Sequence, residues 1–306
     1  MKIYDQLTPC GGESAVALGN FDGLHLGHQK VIASAVAEKK NGLVPTVFTF
    51  TGNPQEDLSG RTGGDLITQE QKIALLEELG VEQLYLLNFA VLKDLTAEDF
   101  VSRVLSGVCR AKAVCCGFNF TFGRGGSAGS PELEALCAQR GIQTEVAGAV
   151  LSGGEPVSST RIRGLIAMGN MEQAAQLLGR PYSYVSEVVH GKRLGRELGT
   201  PTLNQAIPEN LILPRFGVYI SKVFFNSMEY AGVTNVGVNP TVGGEKARAE
   251  TWMPDYSGPD FYGETVRVDF VKFLRPEVRF PGLPELKAAI LKDGEDARIY
   301  FAQAGA

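Results

Sequence analysis

Histidine is scarce in this chain, three in 306 residues. So is nearly everything that would mark a membrane, disulfide-bonded or nucleic-acid-binding protein. No apolar stretch reaches ten residues, whereas a membrane helix needs about 20. The segment Met1–Ser14 lacks the apolar centre of a secretory signal, so the expected compartment is the cytoplasm. The five cysteines, Cys10, Cys109, Cys115, Cys116 and Cys137, are odd in number and form no Cys-x-x-Cys pair. Neither structural zinc nor a disulfide framework is therefore expected. Cys115 and Cys116 close an apolar run and read as small core residues. There is no long basic run and the net charge is −5, so nucleic-acid binding has no electrostatic footprint. An anionic substrate would need a local positive site made from loops and helix ends.

What is present is concentrated near the start. Gly19-Asn-Phe-Asp-Gly-Leu-His25-Leu-Gly-His28 holds two of the three histidines. The run Ala15–Leu18 before it reads as a strand. Gln29–Lys40 after it reads as a helix with Val31, Ile32, Ala35 and Val36 on one face. A strand-to-helix turn presents free backbone N–H groups to an anion. His25 and His28 at a helix start face the same side, and Gly27 between them lets a nucleotide approach the backbone. That pattern points to phosphate chemistry. The blander readings are a tight turn with capping side chains, or a His-x-x-His metal site, for which no third ligand is evident.

Length and an apolar content of 44% fit a globular chain of two domains, at about 150 residues each. Up to about residue 180, strand-like segments (Leu43–Phe50, Leu84–Phe89, Ala113–Cys116, Ile142–Val146) alternate with helical ones. The helices open at Thr68, at Thr96 with Asp99 in the box position, and at Ser130-Pro131. Alternation argues for a doubly wound parallel sheet. After Pro181, Tyr182–Val189, Gly217–Phe225, Tyr230–Val236, Arg248–Met253 and Thr265–Leu274 read as strands without helices between them. These predict a small antiparallel barrel, closed by a helix from Leu283 to about Gln303. The expected domains are residues 1–182 and 183–306.

Two further segments carry chemistry. Ser158-Ser159-Thr160-Arg161-Ile162-Arg163 runs into a helix predicted over Gly164–Met168. Hydroxyls and arginines at a helix start suit a polyphosphate, though an ordinary N-cap with surface arginines reads the same way. Gly191-Lys192-Arg-Leu-Gly195-Arg-Glu-Leu-Gly199-Thr-Pro201-Thr202-Leu-Asn204 spaces glycines so that a loop can wrap phosphates. It is not a Walker loop.

Taken together, the decapeptide, the Ser-Ser-Thr-Arg-Ile-Arg segment and the loop Gly117-Phe-Asn-Phe-Thr-Phe-Gly123 resemble the prokaryotic bifunctional riboflavin kinase/FAD synthetase family, over essentially the whole chain. The resemblance implies an N-terminal nucleotidyltransferase domain that makes FAD from FMN and ATP. In it Gly19, Asn20, His25, Gly27 and His28 handle the ATP phosphates, with Ser159, Thr160 and Arg163 on the triphosphate. Asn119, Phe120 and Thr121 would line the flavin side. The Pro-Thr-x-Asn ending resembles the flavokinase motif. It implies that Thr202 and Asn204 ligate Mg²⁺, with Gly191, Lys192, Gly195 and Thr202 at the nucleotide. Asn235-Val-Gly-Val-Asn-Pro-Thr241 and Phe261-Tyr-Gly263 also resemble family segments, placing Asn235 at the flavin. Glu250 matches the family's general base, which takes the proton from the ribityl hydroxyl. The implied partners are riboflavin, FMN and ATP, with no nucleic acid and no membrane. Oligomeric state is not legible.

The chain departs from the family in both halves. Thr49-Phe50-Thr51-Gly52-Asn53-Pro54 stands where Thr-Phe-Glu-Pro-His-Pro is usual. Asn119 and Thr121 replace an aspartate and an arginine, and threonine cannot supply the lost bidentate anion partner. Thr251-Trp252 follows Glu250 in place of Thr-His, and Met253–Asp260 differs from the usual phenylalanine-aspartate pattern. Two alternatives stay open: a riboflavin kinase whose N-terminal module binds ATP but makes little FAD, and a flavin-binding regulator without turnover.

Overall fold

The computed structural model describes residues 1–52, 63–191, 195, 198–241 and 244–304. Asn53 and Lys192 lie outside the described residues. Contacts divide the chain into two units, Met1–Asp65 with Gln69–Ser159, and Leu66–Thr68 with Thr160–Ala306.

The first unit is built on strands β1 (Lys2–Tyr4), β2 (Ser14–Leu18), β3 (Val44–Phe50), β4 (Gln83–Leu87), β5 (Ala111–Gly117) and, after the short pair β6 (Thr121–Phe122) and β7 (Ala128–Gly129), β8 (Gln143–Ala147). Six of them pair in parallel, in the order β1-β4-β3-β2-β5-β8, while β6–β7 and a further short pair, β9 (Leu151–Ser152) and β10 (Glu155–Pro156), are antiparallel. The order reverses between β2 and β5, the switch point at which open α/β sheets take their ligands. Parallel strands are buried on both faces, and β2 reads Ser-Ala-Val-Ala-Leu with every residue buried. Val16, Leu18, Val114 and Cys116 share one core with Val101 and Leu133. The helix Leu26–Ala37 buries Val31, Ile32 and Ala35, as the apolar pattern predicts, but starts three residues before the predicted Gln29. The helix after Thr96 runs Ala97–Asp99 and continues as π-helical turns over Phe100–Val108, ending with Val104 O accepting from Cys109 N. At the next helix Gly129, not Ser130, is the cap, because its N–H reaches the Glu132 carboxylate at 2.9 Å. All five cysteines are buried thiols. Burial pushes Cys115 up to about 12 and Cys116 up to about 11, which removes both as nucleophiles near neutrality.

The second unit carries the hairpin-free helices Ser159–Met168 and Met171–Leu178 and a closed six-stranded barrel. The first of these helices starts five residues before the predicted Gly164, so Thr160 and Arg163 lie within its opening turns. The barrel strands are β11 (Tyr182–Val189), β12 (Thr202–Ala206), β13 (Gly217–Phe225), β14 (Met228–Thr241), β15 (Gly244–Trp252) and β16 (Thr265–Arg275), all antiparallel, in the ring order β11-β12-β15-β14-β13-β16. β12 was not anticipated from the sequence.

Inside the ring, Tyr184, Val268 and Phe270 are buried beside polar groups that satisfy one another. Ser221 Oγ lies 2.7 Å from Thr234 Oγ1, which lies 2.8 Å from Thr251 Oγ1. Gln205 donates to the Ser186 and Val266 carbonyls. Buried polar groups are tolerated only when paired in this way. Outside, the helix Leu283–Ala304 packs Ala297 against Val218, Ile220 and Val233. Arg275 grips the buried Asp293 carboxylate on that helix with contacts of 3.0, 3.2 and 2.6 Å.

Candidate functional site

In the first unit the site starts where β2 ends. Leu18 pairs with Phe48 on one side and Cys116 on the other, so the chain leaves the sheet at the switch point. Gly19 and Asn20 follow, and Phe21 and Leu24 then take φ of +51° and +42°. Bulky residues in the left-handed region cost about 1–2 kcal/mol each. Asp22–Leu24 forms a 3₁₀ turn, and His25 caps the helix, its Nδ1 accepting the His28 backbone N–H at 3.3 Å. With Nδ1 accepting, a neutral His25 carries its proton on Nε2 and offers it as a donor. The two imidazoles stack with centroids 3.6 Å apart and planes 18° from parallel, so the predicted shared side is realised. Gly27 lies against the His25 ring, and Phe21 meets His28 edge-on at 5.4 Å. His28 Nδ1 is shut away from solvent without a hydrogen-bond partner among the described residues. Burial, and after it His25 and Lys72, hold His28 well below the usual imidazole range, so the ring is neutral near pH 7.

The Asn20 carbonyl is held from behind. It accepts the Thr49 hydroxyl at 2.9 Å and the Lys72 ammonium at 3.2 Å. Sequence reasoning missed Lys72. The signal was its spacing of four from Leu76 on the buried side of the helix Gln69–Glu78, where a lysine is out of place. Ser159 joins the same turn through its hydroxyl, which donates to the Asp22 carbonyl at 3.0 Å. Asn119, on the loop leaving β5, the strand beside β2, and Thr121, at the start of β6, are both exposed, and Phe120 stacks on Phe122. Thr160 and Arg163 belong to the second unit.

On the barrel, strand register collects the other candidates. Asn204 on β12 stands opposite Glu250 on β15, which stands opposite Asn235 on β14. Alternation puts these three on the outer face, since Gln205, Thr251 and Thr234 beside them are fully buried inside. Neighbours across a ladder have Cβ atoms about 5 Å apart, so a carboxylate is flanked by two carboxamides. One pair further along the same face, Thr202 is opposite Trp252. Asn235 donates to Glu277 at 3.1 Å, a partner that the sequence did not signal.

Of the glycine loop, Gly191 and Gly195 come up to this row. A Cβ on Gly191 would run into the Asn204 side-chain amide, so any other residue there would displace that amide. Gly195 accepts the Thr200 N–H at 2.8 Å, bringing it beside Thr202. A cavity of about 300 Å³ opens next to Thr202, lined also by Val188, Met253, Tyr256, Phe261 and Tyr262. Its walls are braced: Phe261 packs edge-to-face on Tyr256, whose hydroxyl donates to Pro259 O at 2.7 Å, and His190 lies 3.9 Å from the Tyr262 ring.

Comparison with known proteins gives these two constellations a family. Residues 8–161 match the FAD synthetase family and residues 178–301 the riboflavin kinase family. The chain is 36% identical to a bifunctional riboflavin kinase/FMN adenylyltransferase of Bacillus subtilis, over 94% of this chain and 93% of that one. Proteins of that name from Listeria monocytogenes and Escherichia coli are 34% and 33% identical, each over 94% of this chain and 92% of theirs. A Streptococcus pneumoniae structure solved as a macrolide-efflux protein superposes with a TM-score of 0.88 at 31% identity, covering 97% of this chain and 98% of its own. Among the described residues no helix is long and apolar enough to cross a membrane. With the histidine pair at the sheet's switch point, the Glu250 row on the barrel and relatives matching both halves, the chain belongs to the bifunctional riboflavin kinase/FMN adenylyltransferase family.

Proposed function

We propose that this chain phosphorylates riboflavin to FMN and adenylylates FMN to FAD, with residues 1–182 as the adenylyltransferase and 183–306 as the kinase, acting in the cytoplasm. The observation that carries the reading is that one chain holds both the stacked His25–His28 pair and the Asn204–Glu250–Asn235 row.

In the adenylyltransferase, Gly19, Asn20 and Gly27 lie against the nucleotide backbone-first. His25 and His28, the latter neutral, are donors toward phosphate oxygens, where charge builds as pyrophosphate leaves. The stack fixes both rings before ATP arrives. Ser159, Thr160 and Arg163 are assigned to the triphosphate by their motif. Asn119, Phe120 and Thr121 are assigned to the flavin by theirs.

In the kinase, Glu250 removes the proton from the ribityl hydroxyl as that oxygen attacks the γ-phosphorus of ATP. Gly191, Lys192, Gly195 and Thr202 hold the nucleotide phosphates, and Asn235 the flavin. Thr202 and Asn204 offer hard oxygen donors beside Gly191, a set that fits Mg²⁺. When bound there, the ion would neutralise phosphate charge. The cavity beside Thr202 takes a planar ring between Tyr256, Phe261 and Tyr262.

A second reading is favoured by one specific observation. Asn119 and Thr121 stand exposed where the family has an acid and an arginine, so the first unit could bind ATP yet transfer poorly to FMN. Incubating the full chain with riboflavin or FMN, ATP and Mg²⁺, and resolving flavins by chromatography, tests both. FAD from FMN supports the two-headed enzyme. FMN from riboflavin without FAD selects the second reading. Riboflavin binding without FMN formation overturns both in favour of a regulator.

A further inference from the structure

We propose that Lys72 is a positioning residue for adenylyl transfer, one that holds the Asn20–Phe21 peptide in the orientation the nucleotide site requires. The proposal rests on the adenylyltransferase reading of the first unit. The carbonyl of that peptide accepts two donors, the Lys72 ammonium at 3.2 Å and the Thr49 hydroxyl at 2.9 Å. Both side chains are buried, Lys72 at 8% exposure and Thr49 at none. A peptide is planar, so fixing its oxygen fixes the direction of the following N–H, that of Phe21.

Phe21 is the residue held at φ +51°. Left to itself it would relax toward negative φ, and the relaxation would carry the whole turn with it. The Phe21 ring abuts His28, the Asp22 carbonyl receives Ser159, and His25 caps the helix only because the 3₁₀ turn delivers it there. Lys72 and Thr49 thus oppose a relaxation that would disperse Asn20, His25 and His28. A charged donor makes the stronger grip.

The choice of lysine has a second effect that threonine lacks. Burial disfavours the ammonium, and Asp22 and Asp65 counter that by favouring its charge. The retained charge in turn disfavours imidazolium at His28, as the His25 ring does and as burial does most. Lys72 therefore fixes the turn and adds to the burial that keeps its histidine neutral.

The test uses the full chain, with riboflavin phosphorylation measured in the same preparation as an internal control. Lys72→Met should lower kcat for FMN adenylylation by about 10²-fold, the scale of a positioning loss, while kinase activity stays within two-fold. Lys72→Arg, which keeps a charged donor, should recover most of the loss. Thr49→Val should cause a smaller loss, less than additive with Lys72→Met because both act on one carbonyl. The acid limb of the adenylylation pH profile should move to higher pH in Lys72→Met but not in Thr49→Val. Adenylylation within two-fold of wild type in Lys72→Met overturns the proposal, as does a loss with an unmoved acid limb and no recovery by arginine. Should Lys72→Met fail to fold, the Lys72→Arg and Thr49→Val profiles decide by the same criteria. His28→Ala run alongside separates the two levels: full FAD formation there rejects the site itself, whereas its loss there with normal Lys72→Met rejects only Lys72.

Discussion

The ring of Trp252 occupies the space that a Cβ on Gly294 would need. The terminal helix therefore meets β15 through a glycine, two residues along the strand from Glu250. In an exposed helix interior, Gly→Ala gains up to about 1 kcal/mol. Here Gly294→Ala should instead destabilise by about 1–3 kcal/mol, the cost of overpacking. Trp252 is the chain's one tryptophan, so its emission reports the displacement directly. A lower Tm, a shifted emission maximum and reduced kinase activity are expected together; a raised Tm with unchanged emission would reject the packing.

His28→Ala should cut FAD formation by about 10²–10³-fold, the worth of a preorganised donor at developing charge, and leave riboflavin phosphorylation untouched. Flavin chromatography of the two reactions checks it. Unchanged FAD yield would remove the histidine pair from the chemistry.

Glu250→Gln keeps the shape of the outer-face row and removes its carboxylate, the proposed base. Kinase turnover should fall by about 10²–10⁴-fold, with adenylylation of added FMN intact. A fall of only a few-fold would show that the proton leaves by another route.

Asp269 supplies a stability prediction. It is 6% exposed, and burial raises its carboxyl to about 6, with Arg267, 3.0 Å away, pulling the other way. A folded-state value above the unfolded one means that the native state holds its proton more tightly. The associated stability is present below the unfolded value near 4 and is lost as pH rises through 6. Asp269→Asn, permanently neutral, should match wild type at pH 4 and exceed it by about 1–3 kcal/mol at pH 8. Thermal unfolding across that range checks it, and a pH-independent difference would sink it.

Much of this architecture was written locally. Alternating patterns announced the parallel sheet and the barrel, and His25 and His28 stack as their spacing required. What escaped the sequence was set by distant contacts. Thr202–Ala206 reads as the end of a glycine loop because Asn204 and Gln205 spoil its apolar alternation, yet Gln205 is buried through bonds to Ser186 and Val266 carbonyls. The helix Ser159–Met168 begins early because Ser159, a good cap, is instead tied to Asp22, 137 residues away. Lys72 gives only its place on the buried side of a helix as a signal, because its partner is a backbone oxygen, and no side-chain pattern marks such a partner. The glycine of the Asn204 contact was visible as a glycine, but not as the space for that particular amide.

The row Asn204–Glu250–Asn235 lies across three strands of a ring with no free edge. In such a ring no strand can slip alone, because every ladder is shared with the next. Side chains change face with each single step. Adding or deleting one residue within Thr202–Ala206 would therefore turn Asn204 inward toward Tyr184 and Gln205's place, while a two-residue change would keep it outside. Kinase chemistry on this barrel is thus a matter of parity. Along β12, β15 and β14, whose shared ladders run without a bulge, length can change only by even counts and still keep Asn204, Glu250 and Asn235 on one side of the wall.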